Sequence, residues 1–268
     1  MTLKSLFLFF ACIQFGYSQL KIISWNVENL GKSKSDSTLI FLSNIIRQYD
    51  IAAIQEVVAG YGGAQTVAKL TALLNQSGAQ WDYSVSNPTS SSAYKTERYA
   101  FIWRTKIVKK VGDFWLEQKY QLEIDREPYF GTFMYKNKSI TLVNFHAITK
   151  SKQPETEIKY FKFLPENYPD KNLVFLGDFN CPQSHTVFNP LRKMGYLPVF
   201  INQKTTLKKK CYNNTNCLAS EFDNIWFDTS KTSIKSQNVM QFHQSFLSLK
   251  QARKISDHLP ISATIELK

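Results

Sequence analysis

Side chains that can act as acids, bases or metal ligands recur where short apolar segments end. Four such segments end in Trp-Asn-Val-Glu (25–28), Gln-Glu (55–56), Asn-Phe-His (144–146) and Gly-Asp-Phe-Asn (177–180), and Ser-Asp-His (256–258) precedes a fifth. A single motif of this kind is more often a turn or a helix cap. In layered α/β folds, however, ligands bind where strand ends and their loops converge. Five such motifs therefore predict one polar, acidic pocket.

Two of the four histidines, His146 and His258, lie within these motifs. Imidazole titrates near neutral pH, so a pair of histidines can supply a base for an attacking water and an acid for a leaving oxygen. Each imidazole needs a carboxylate that fixes its tautomer and raises its basicity. His185 and His243 belong to no motif, and we assign them structural roles.

The apolar periodicity predicts the elements that position these motifs. A helix begins near Ser37 and a second covers 65–76, with 155–163 and 186–194 as further candidates. Residues 201–220 are predicted to form a long loop, a kind of segment that is usually functional or mobile. No repeat or linker interrupts the pattern, which predicts one strand-rich α/β domain. Its strands are expected at 21–25, 51–54, 83–86, 99–103, 130–135, 139–144, 173–176, 224–227 and 261–267.

Composition and charge exclude several classes of protein. The 268 residues are 43% apolar and 20% charged, with only 10 Gly and 9 Pro, which excludes a disordered, collagen-like or low-complexity chain. The formal net charge of +12 predicts an anionic partner. Nucleic acid, a phosphate-rich ligand and an acidic membrane surface all satisfy that condition.

Residues 1–18 have the layout of a secretory signal peptide, with a basic start, an apolar run from Leu6 to Phe15 and small residues before position 19. The run is shorter than the ~20 residues that span a membrane. We therefore expect a secreted or periplasmic product without a stable membrane anchor, whose mature domain is 19–268. Lipidation at Cys12 is a weaker alternative, because Phe9 is a poor residue three places before an acceptor cysteine.

The mature chain contains Cys181, Cys211 and Cys217 in a compartment that permits disulfides. Cys211 and Cys217 flank Tyr-Asn-Asn-Thr-Asn, a polar segment that can turn back and bring the two residues within bridging distance. This pair is favoured over a bridge from Cys181. Three free thiols are the remaining alternative.

The motifs together resemble the endonuclease/exonuclease/phosphatase superfamily, and within it the deoxyribonuclease I-like branch. Gly-Asp-Phe-Asn (177–180) and Ser-Asp-His-Leu-Pro (256–260) are moderate signals separately. They become a strong signal in family order with Gln-Glu (55–56), Glu-Arg-Tyr (97–99), Arg-Glu-Pro (126–128) and Phe-Asp-Asn-Ile (222–225). The resemblance implies an α/β fold, specifically a four-layer α/β/β/α sandwich with two packed mixed β-sheets.

The resemblance also implies a metal site and a substrate site. Glu56 would hold a divalent cation, Mg²⁺ before Mn²⁺, with Asn26 and Asp257 completing the ligand shell, and a structural Ca²⁺ is a further option. Arg126 would bind the nucleic-acid backbone. Tyr94 is a further candidate for substrate binding, because it lies close to Glu97 in the sequence and its ring can stack on or bond to a sugar.

Catalysis would rest on two histidine–carboxylate pairs and on groups at the scissile phosphate. Glu97 would pair with His146 and Asp223 with His258, while Asp178 and Asn180 would contact the phosphate. We expect the principal groups within one pocket of about 10 Å radius: Glu56, His146, Asp178, Asn180, Asp223, Asp257 and His258.

Three functions are compatible with these residues. The first is a secreted, monomeric, metal-dependent endonuclease that cuts DNA with little sequence preference, aided by Lys150, Lys152 and the lysines at 208–210. The second is a phosphodiesterase of the same fold that hydrolyses a phospholipid or a small phosphate ester, as sphingomyelinase-like relatives do. It would need an exposed apolar loop, which Phe242, Phe246 and Leu247 would supply. The third is a secreted binding domain without catalysis, which would carry broken catalytic positions, and none of the matched ones is missing.

Overall fold

The computed structural model describes residues 19–91, 96–211 and 216–268, which form two stacked β-sheets flanked by helices. The first sheet contains β1 (Leu20–Leu30), β2 (Ile51–Val58), β3 (Trp81–Val85), β4 (Glu97–Arg104), β12 (Thr232–Val239) and β13 (Ile261–Leu267). The second contains β5 (Val108–Lys110), β6 (Trp115–Leu116), β7 (Tyr129–Tyr135), β8 (Lys138–His146), β9 (Leu173–Asp178), β10 (Tyr196–Pro198) and β11 (Asp223–Asp228).

Each sheet contains one parallel pair among the described strands, β1–β2 in the first and β8–β9 in the second. The strand order is β12–β13–β1–β2–β4–β3 in the first sheet. In the second it is β10–β11–β9–β8–β7–β5, and β6 pairs with β7. Both sheets are therefore mixed, and the strands whose ends carry the motifs lie near the middle of each.

Successive side chains of β1 belong alternately to two layers of the hydrophobic core, one on each face of the first sheet. Ile22 packs between the sheets, whereas Ile23 and Trp25 pack toward α1 (Asp36–Ile46) and α2 (Tyr61–Asn75) on the outer face. Successive side chains on a strand point to opposite faces, so a strand that is apolar throughout fits a sheet covered on both sides.

Short helices cover the outer face of the second sheet. Phe145, Phe161, Phe175 and Trp226 fill the core between that sheet and its helices. The helices and 3₁₀ turns of the remaining chain are α3 (Glu155–Ile158), α4 (Leu164–Asn167), α5 (Asn189–Lys193), α6 (Leu249–Ala252), and the turns Lys150–Lys152, Lys159–Phe163, Thr186–Phe188 and Phe242–Ser245. This arrangement confirms the four-layer sandwich.

The nine predicted strands are all present, and four described strands were not predicted. Three of these, β5, β6 and β10, have only two or three residues, too few for a periodic signal. The fourth, β12, is a polar edge strand, so it shows no clear apolar alternation. The predicted helices at 155–163 and 186–194 are combinations of short α-helices and 3₁₀ turns.

The segment 201–220 carries no named strand or helix in its described part, but it is tied to its surroundings. Thr206 pairs with His258 and Leu207 with Leu218 in isolated β-bridges. The predicted disulfide joins Cys211 and Cys217, and Cys181 is a buried free thiol. In the described part of the chain, no helix has the length and apolar character needed to cross a membrane. The predicted signal peptide, 1–18, lies outside the described residues.

Candidate active site

A single oxygen of Asp178, at the end of β9, is the centre of a buried polar cluster. Its Oδ2 lies 3.3 Å from Nε2 of His146 and 3.5 Å from Nε2 of His258, and it accepts a hydrogen bond of 3.2 Å from Nδ2 of Asn26. Burial acts to raise the pKa of Asp178, but His258 and His146 more than compensate and hold that pKa below its ordinary value. The carboxylate therefore stays ionised between two imidazoles.

The first histidine–carboxylate pair joins the two sheets. Nδ1 of His146, on β8, lies 2.9 Å from Oε2 of Glu97, at the start of β4. Nη1 of Arg126 donates to the same oxygen at 3.0 Å, and Nη2 donates to the backbone oxygen of Ala147. Burial would lower the pKa of His146, but Glu97 offsets this and the pKa is raised overall.

In the second histidine–carboxylate pair, the carboxylate also accepts a hydrogen bond from a threonine hydroxyl. Nδ1 of His258 lies 2.9 Å from Oδ2 of Asp223, which also accepts a hydrogen bond of 2.6 Å from the hydroxyl of Thr205. Thr205 is itself fully buried and accepts from the backbone N–H of Asp223 at 3.0 Å. Although burial opposes it, the charges of Asp223 and then Asp178 hold the pKa of His258 well above its ordinary value.

Glu56 presents a carboxylate at the accessible side of the cluster. Its side chain is 24% exposed, and its Oε1 lies 3.9 Å from Nε2 of His146. Nδ2 of Asn26 donates to that oxygen at 2.9 Å, and the N–H of Asn29 donates to the other at 3.1 Å. Oδ1 of Asn26 accepts from the N–H of Glu28, so its carboxamide turns its nitrogen, rather than its oxygen, toward the carboxylates.

The backbone around the cluster is held in a conformation that most residues avoid. Glu28, Asn29, Glu56 and Asn180 all have positive φ, between 46° and 58°. Non-glycine residues adopt such angles at an energetic cost, and strained residues of this kind cluster at active sites and ligand clamps. In this site they lie at the ends of β1, β2 and β9.

Gly177 allows β9 to approach β8 closely. Its φ is +140°, and a Cβ atom at this position would lie 1.9 Å from the backbone oxygen of Phe145 on β8. Only glycine fits there. The following turn is fixed by Asn180, whose N–H donates to Oδ1 of Asp178 at 2.9 Å and whose Nδ2 donates to the oxygen of Ala147 at 3.0 Å.

The loop before β13 is fastened to β1 by two long-range hydrogen bonds. The hydroxyl of Ser256 donates to the backbone oxygen of Asn26 at 2.6 Å, and Nε1 of Trp25 donates to that of His258 at 2.9 Å. Asp257 lies at the rim, where Oδ2 pairs with Nη2 of Arg253 at 3.2 Å and Oδ1 is 4.0 Å from Nε2 of His258.

The donor set fits a hard divalent cation. Among the described residues, Asp178, Asp223 and His258 form a buried group whose potential ligand atoms lie within 4.8 Å of one another. Both ring nitrogens of His258 already face these two carboxylates, at 3.5 Å from Asp178 and 2.9 Å from Asp223. Glu56 adds the accessible oxygen. Carboxylate oxygens suit Mg²⁺ or Mn²⁺, whereas no thiol belongs to the cluster.

A cavity of about 370 Å³ adjoins Glu56. Arg126 forms part of it, and its buried Nε has no hydrogen-bond partner within the described structure. The apolar part of the wall and its cationic rim come from Val57, Val58, Ala59, Ile148 and Lys152.

The profile of the Endonuclease/Exonuclease/phosphatase family matches residues 23–258. The chain belongs to this family. The match spans every motif from Trp25 to His258. Together with the deoxyribonucleases to which the chain is similar, it confirms the predicted enzyme class, a phosphodiester-hydrolysing endonuclease. Enzymes of the family depend on divalent metal ions, which agrees with the oxygen-rich cluster.

Two relatives indicate the branch. Human deoxyribonuclease-1 is 30% identical over 198 residues, which cover 69% of this chain and 69% of that protein. Bovine deoxyribonuclease-1 is 28% identical over 275 residues, which cover 94% of each. A solved family member from Bacteroides thetaiotaomicron shares the fold, with a TM-score of 0.68, 18% identity and coverage of 93% and 98%. The deoxyribonuclease I-like branch is therefore confirmed.

In the present protein, most of the predicted site residues belong to one connected assembly of close polar contacts. The individual roles of these residues stay predictions. Asp257 lies at its edge, and Arg126 touches the cavity while it anchors Glu97. Tyr94 lies outside the described residues. The connected set comprises Asn26, Glu56, Glu97, His146, Asp178, Asn180, Asp223 and His258.

Sequence reasoning missed the residues that support the assembly. Nothing in the spacing of Thr205 separates it from ordinary loop residues, and Ser256, although it belongs to the Ser-Asp-His motif, was given no role of its own. Both act through hydrogen bonds of their hydroxyl groups. Tyr99 is fully buried, and its hydroxyl accepts from the N–H of His146 at 3.2 Å. His185 caps a 3₁₀ turn by accepting from Val187, which agrees with a structural role.

Proposed function

We propose that this protein is a secreted, monomeric, Mg²⁺-dependent phosphodiesterase that hydrolyses DNA with little sequence preference. The convergence of His146 and His258 on one oxygen of Asp178, beside the accessible carboxylate of Glu56, carries the proposal. Two imidazoles with buried carboxylate partners can serve one in-line displacement at phosphorus, in which a proton leaves the water and another reaches the leaving oxygen.

Each histidine has its own task in this mechanism. The pKa of His258 is held well above its ordinary value, because two carboxylates face it, so it enters the reaction protonated and stabilises the phosphate or donates to the leaving oxygen. The pKa of His146 is raised less than that of His258, because Arg126, which shares the partner Glu97, opposes protonation of His146. His146 therefore suits the role of base.

Glu56 would hold the cation, and Asp178 and Asp257 would complete the ligand set. When bound, Mg²⁺ supplies positive charge at the non-bridging oxygens, where negative charge accumulates during hydrolysis. Asn26 keeps its donor nitrogen on Glu56 and Asp178, so it orients these carboxylates instead of contributing an oxygen in the described geometry. Asn180 lies beside Asp178 at the place predicted for the phosphate.

Three observations support DNA as the substrate. The chain carries a formal net charge of +12, which attracts a polyanion. Arg126 and Lys152 border the cavity beside Glu56, where a sugar or base next to the scissile phosphate would lie. The relatives with 28–30% identity are named as deoxyribonucleases.

The exposure of the predicted apolar loop gives less support to a phospholipid substrate. Of the residues that would form its apolar loop, Phe242 is buried and Phe246 packs against Phe41, while Leu247 is 91% exposed. One exposed leucine provides little apolar area for insertion into a membrane.

A panel of substrates tests the proposal. We expect the mature protein with Mg²⁺ to nick supercoiled plasmid, and to leave sphingomyelin vesicles and p-nitrophenyl phosphate unchanged at the same enzyme concentration. Turnover of either of these substrates together with intact plasmid would overturn the proposal and select the alternative.

A further inference from the structure

A buried polar link joins the two sheets directly beneath Glu56. Gln55 on β2 and Asn144 on β8 are both fully buried. Nε2 of Gln55 donates to Oδ1 of Asn144 at 2.6 Å and to the hydroxyl of Ser24 at 3.0 Å. Buried polar groups in a core reduce stability unless they are hydrogen-bonded, so an amide pair between two apolar sheets requires an explanation.

The link lies where the ladder of β2 is interrupted. Ile54 pairs with Ala100 on β4, but the next registered pair joins Val57 to Arg98, and Glu56 lies in the irregular stretch with φ +58°. Nδ2 of Asn144, from the opposite sheet, donates to the backbone oxygens of Ile54 and Ala100 at 3.1 and 3.3 Å. These are the two carbonyls of the last pair before the interruption.

The direction of the hydrogen bonds in the link is determined. Because the Asn144 nitrogen is committed to two backbone oxygens, its own oxygen must face Gln55, and Gln55 must donate. This arrangement costs stability, because the amide oxygen of Gln55, Oε1, is buried without a hydrogen-bond partner among the described residues.

We propose that Gln55 and Asn144 are positioning residues for the cation site. By bonding the carbonyls at the interruption, Asn144 stabilises the backbone conformation that turns Glu56 toward the cluster. Asn144 also lies two residues before His146 on β8, so the same link fixes the spacing between the Glu56 carboxylate and the imidazole, 3.9 Å away. The inference rests on the proposed function, because it takes Glu56 as the residue that holds the cation.

The test compares Gln55→Met and Asn144→Leu with a matched control. Thr132 and Thr141 form another buried side-chain hydrogen bond, of 2.9 Å, and Thr141 lies on the same strand as Asn144. The control Thr132→Val/Thr141→Val therefore removes a buried polar pair that links β7 to β8 within the second sheet and makes no hydrogen bond to β2. Mn²⁺ binding is measured directly, by electron paramagnetic resonance of the free ion, together with thermal unfolding and the Mg²⁺ dependence of plasmid nicking.

We expect Gln55→Met, the milder change, to fold and to weaken Mn²⁺ binding by about 10- to 100-fold, the range known for groups that orient metal ligands. The control should bind Mn²⁺ with wild-type affinity, even if its melting temperature falls equally. Wild-type Mn²⁺ affinity in both single variants, or equal weakening in the control, would overturn the inference. Wild-type protein that binds Mn²⁺ without nicking DNA would overturn the proposed function alone, and Mn²⁺ binding by the variants would still test the inference. Wild-type protein that binds no Mn²⁺ would overturn both the proposed function and the inference.

Discussion

His146 and His258 reach the same carboxylate oxygen from different sheets of the sandwich. The Nε2 atoms of the two rings lie 3.3 and 3.5 Å from Oδ2 of Asp178, although the residues are more than a hundred positions apart in the chain. His146 ends β8 of the second sheet, and His258 precedes β13 of the first. The site therefore depends on how the two sheets are stacked.

Replacement of either central histidine should abolish most of the activity. We predict that His146→Ala and His258→Ala each lower kcat by about 10²- to 10⁴-fold, the usual contribution of an acid–base group. The double variant should lose little more, since groups that act as a unit are not additive. His185→Ala is the matched control, because His185 only caps a 3₁₀ turn. Comparable loss in the control, or retained activity in His258→Ala, would contradict the assignment.

The hydroxyl of Thr205 should influence catalysis through Asp223. Thr205→Val removes the 2.6 Å hydrogen bond to Oδ2 of Asp223 and leaves buried polar groups unsatisfied, at a cost of about 1–3 kcal/mol in the free energy of unfolding. With one donor fewer on Asp223, the pH–rate profile should also shift. Thr71→Val, which removes a buried hydroxyl bond to Val67 in α2, should change stability without moving the profile. An unshifted profile in Thr205→Val would refute the positioning role.

Stability of the metal-free protein should pass through a maximum near mildly acidic pH. The pKa of Glu97 lies below its ordinary 4.5, so its contribution is present above pH 4.5 and is lost as pH falls through the lowered value. The pKa of His258 lies well above its ordinary 6.5, so its contribution is complete below pH 6.5 and is lost as pH rises through the raised value. Urea unfolding across pH should show both limbs, and His258→Ala should flatten the alkaline one. An alkaline limb unchanged in that variant would show that another group causes it.

Gly177→Ala should lower the free energy of unfolding far more than a glycine substitution that introduces backbone strain without a steric clash. A Cβ at Gly177 would lie 1.9 Å from the oxygen of Phe145, so we predict a loss above about 4 kcal/mol in the free energy of unfolding, or no folded protein. Gly112→Ala is the control, because its φ is +63° but nothing lies within 4 Å. That substitution should cost about 1 kcal/mol. Similar melting temperatures for both variants would show that β8 and β9 can separate without penalty.

Motifs at strand ends predicted the site better than they predicted its internal contacts. Five residues of the cluster could be named because each lies at or just after the end of an apolar segment: Asn26, Glu56, His146, Asp178 and Asn180. His258 lies in the motif before the last strand, whereas Glu97 and Asp223 were predicted only from the family resemblance. The orientation of Asn26 could not be predicted, since it depends on the N–H of Glu28 in a backbone with positive φ. The role of Thr205 could not be predicted either, because its segment has no periodic pattern and its contacts form only when distant parts of the chain come together.

The role of Glu56 as the cation ligand is tested most directly by the Mg²⁺ dependence of plasmid nicking in the wild type and in Glu56→Gln. Glu123→Gln, which neutralises an exposed carboxylate outside the cluster, is the control. We predict that chelation by EDTA stops nicking in the wild type, that Glu56→Gln needs at least about tenfold more Mg²⁺ for half-maximal activity, and that the control matches the wild type. Nicking that survives EDTA, or an unchanged Mg²⁺ requirement in Glu56→Gln, would contradict a cation held at Glu56.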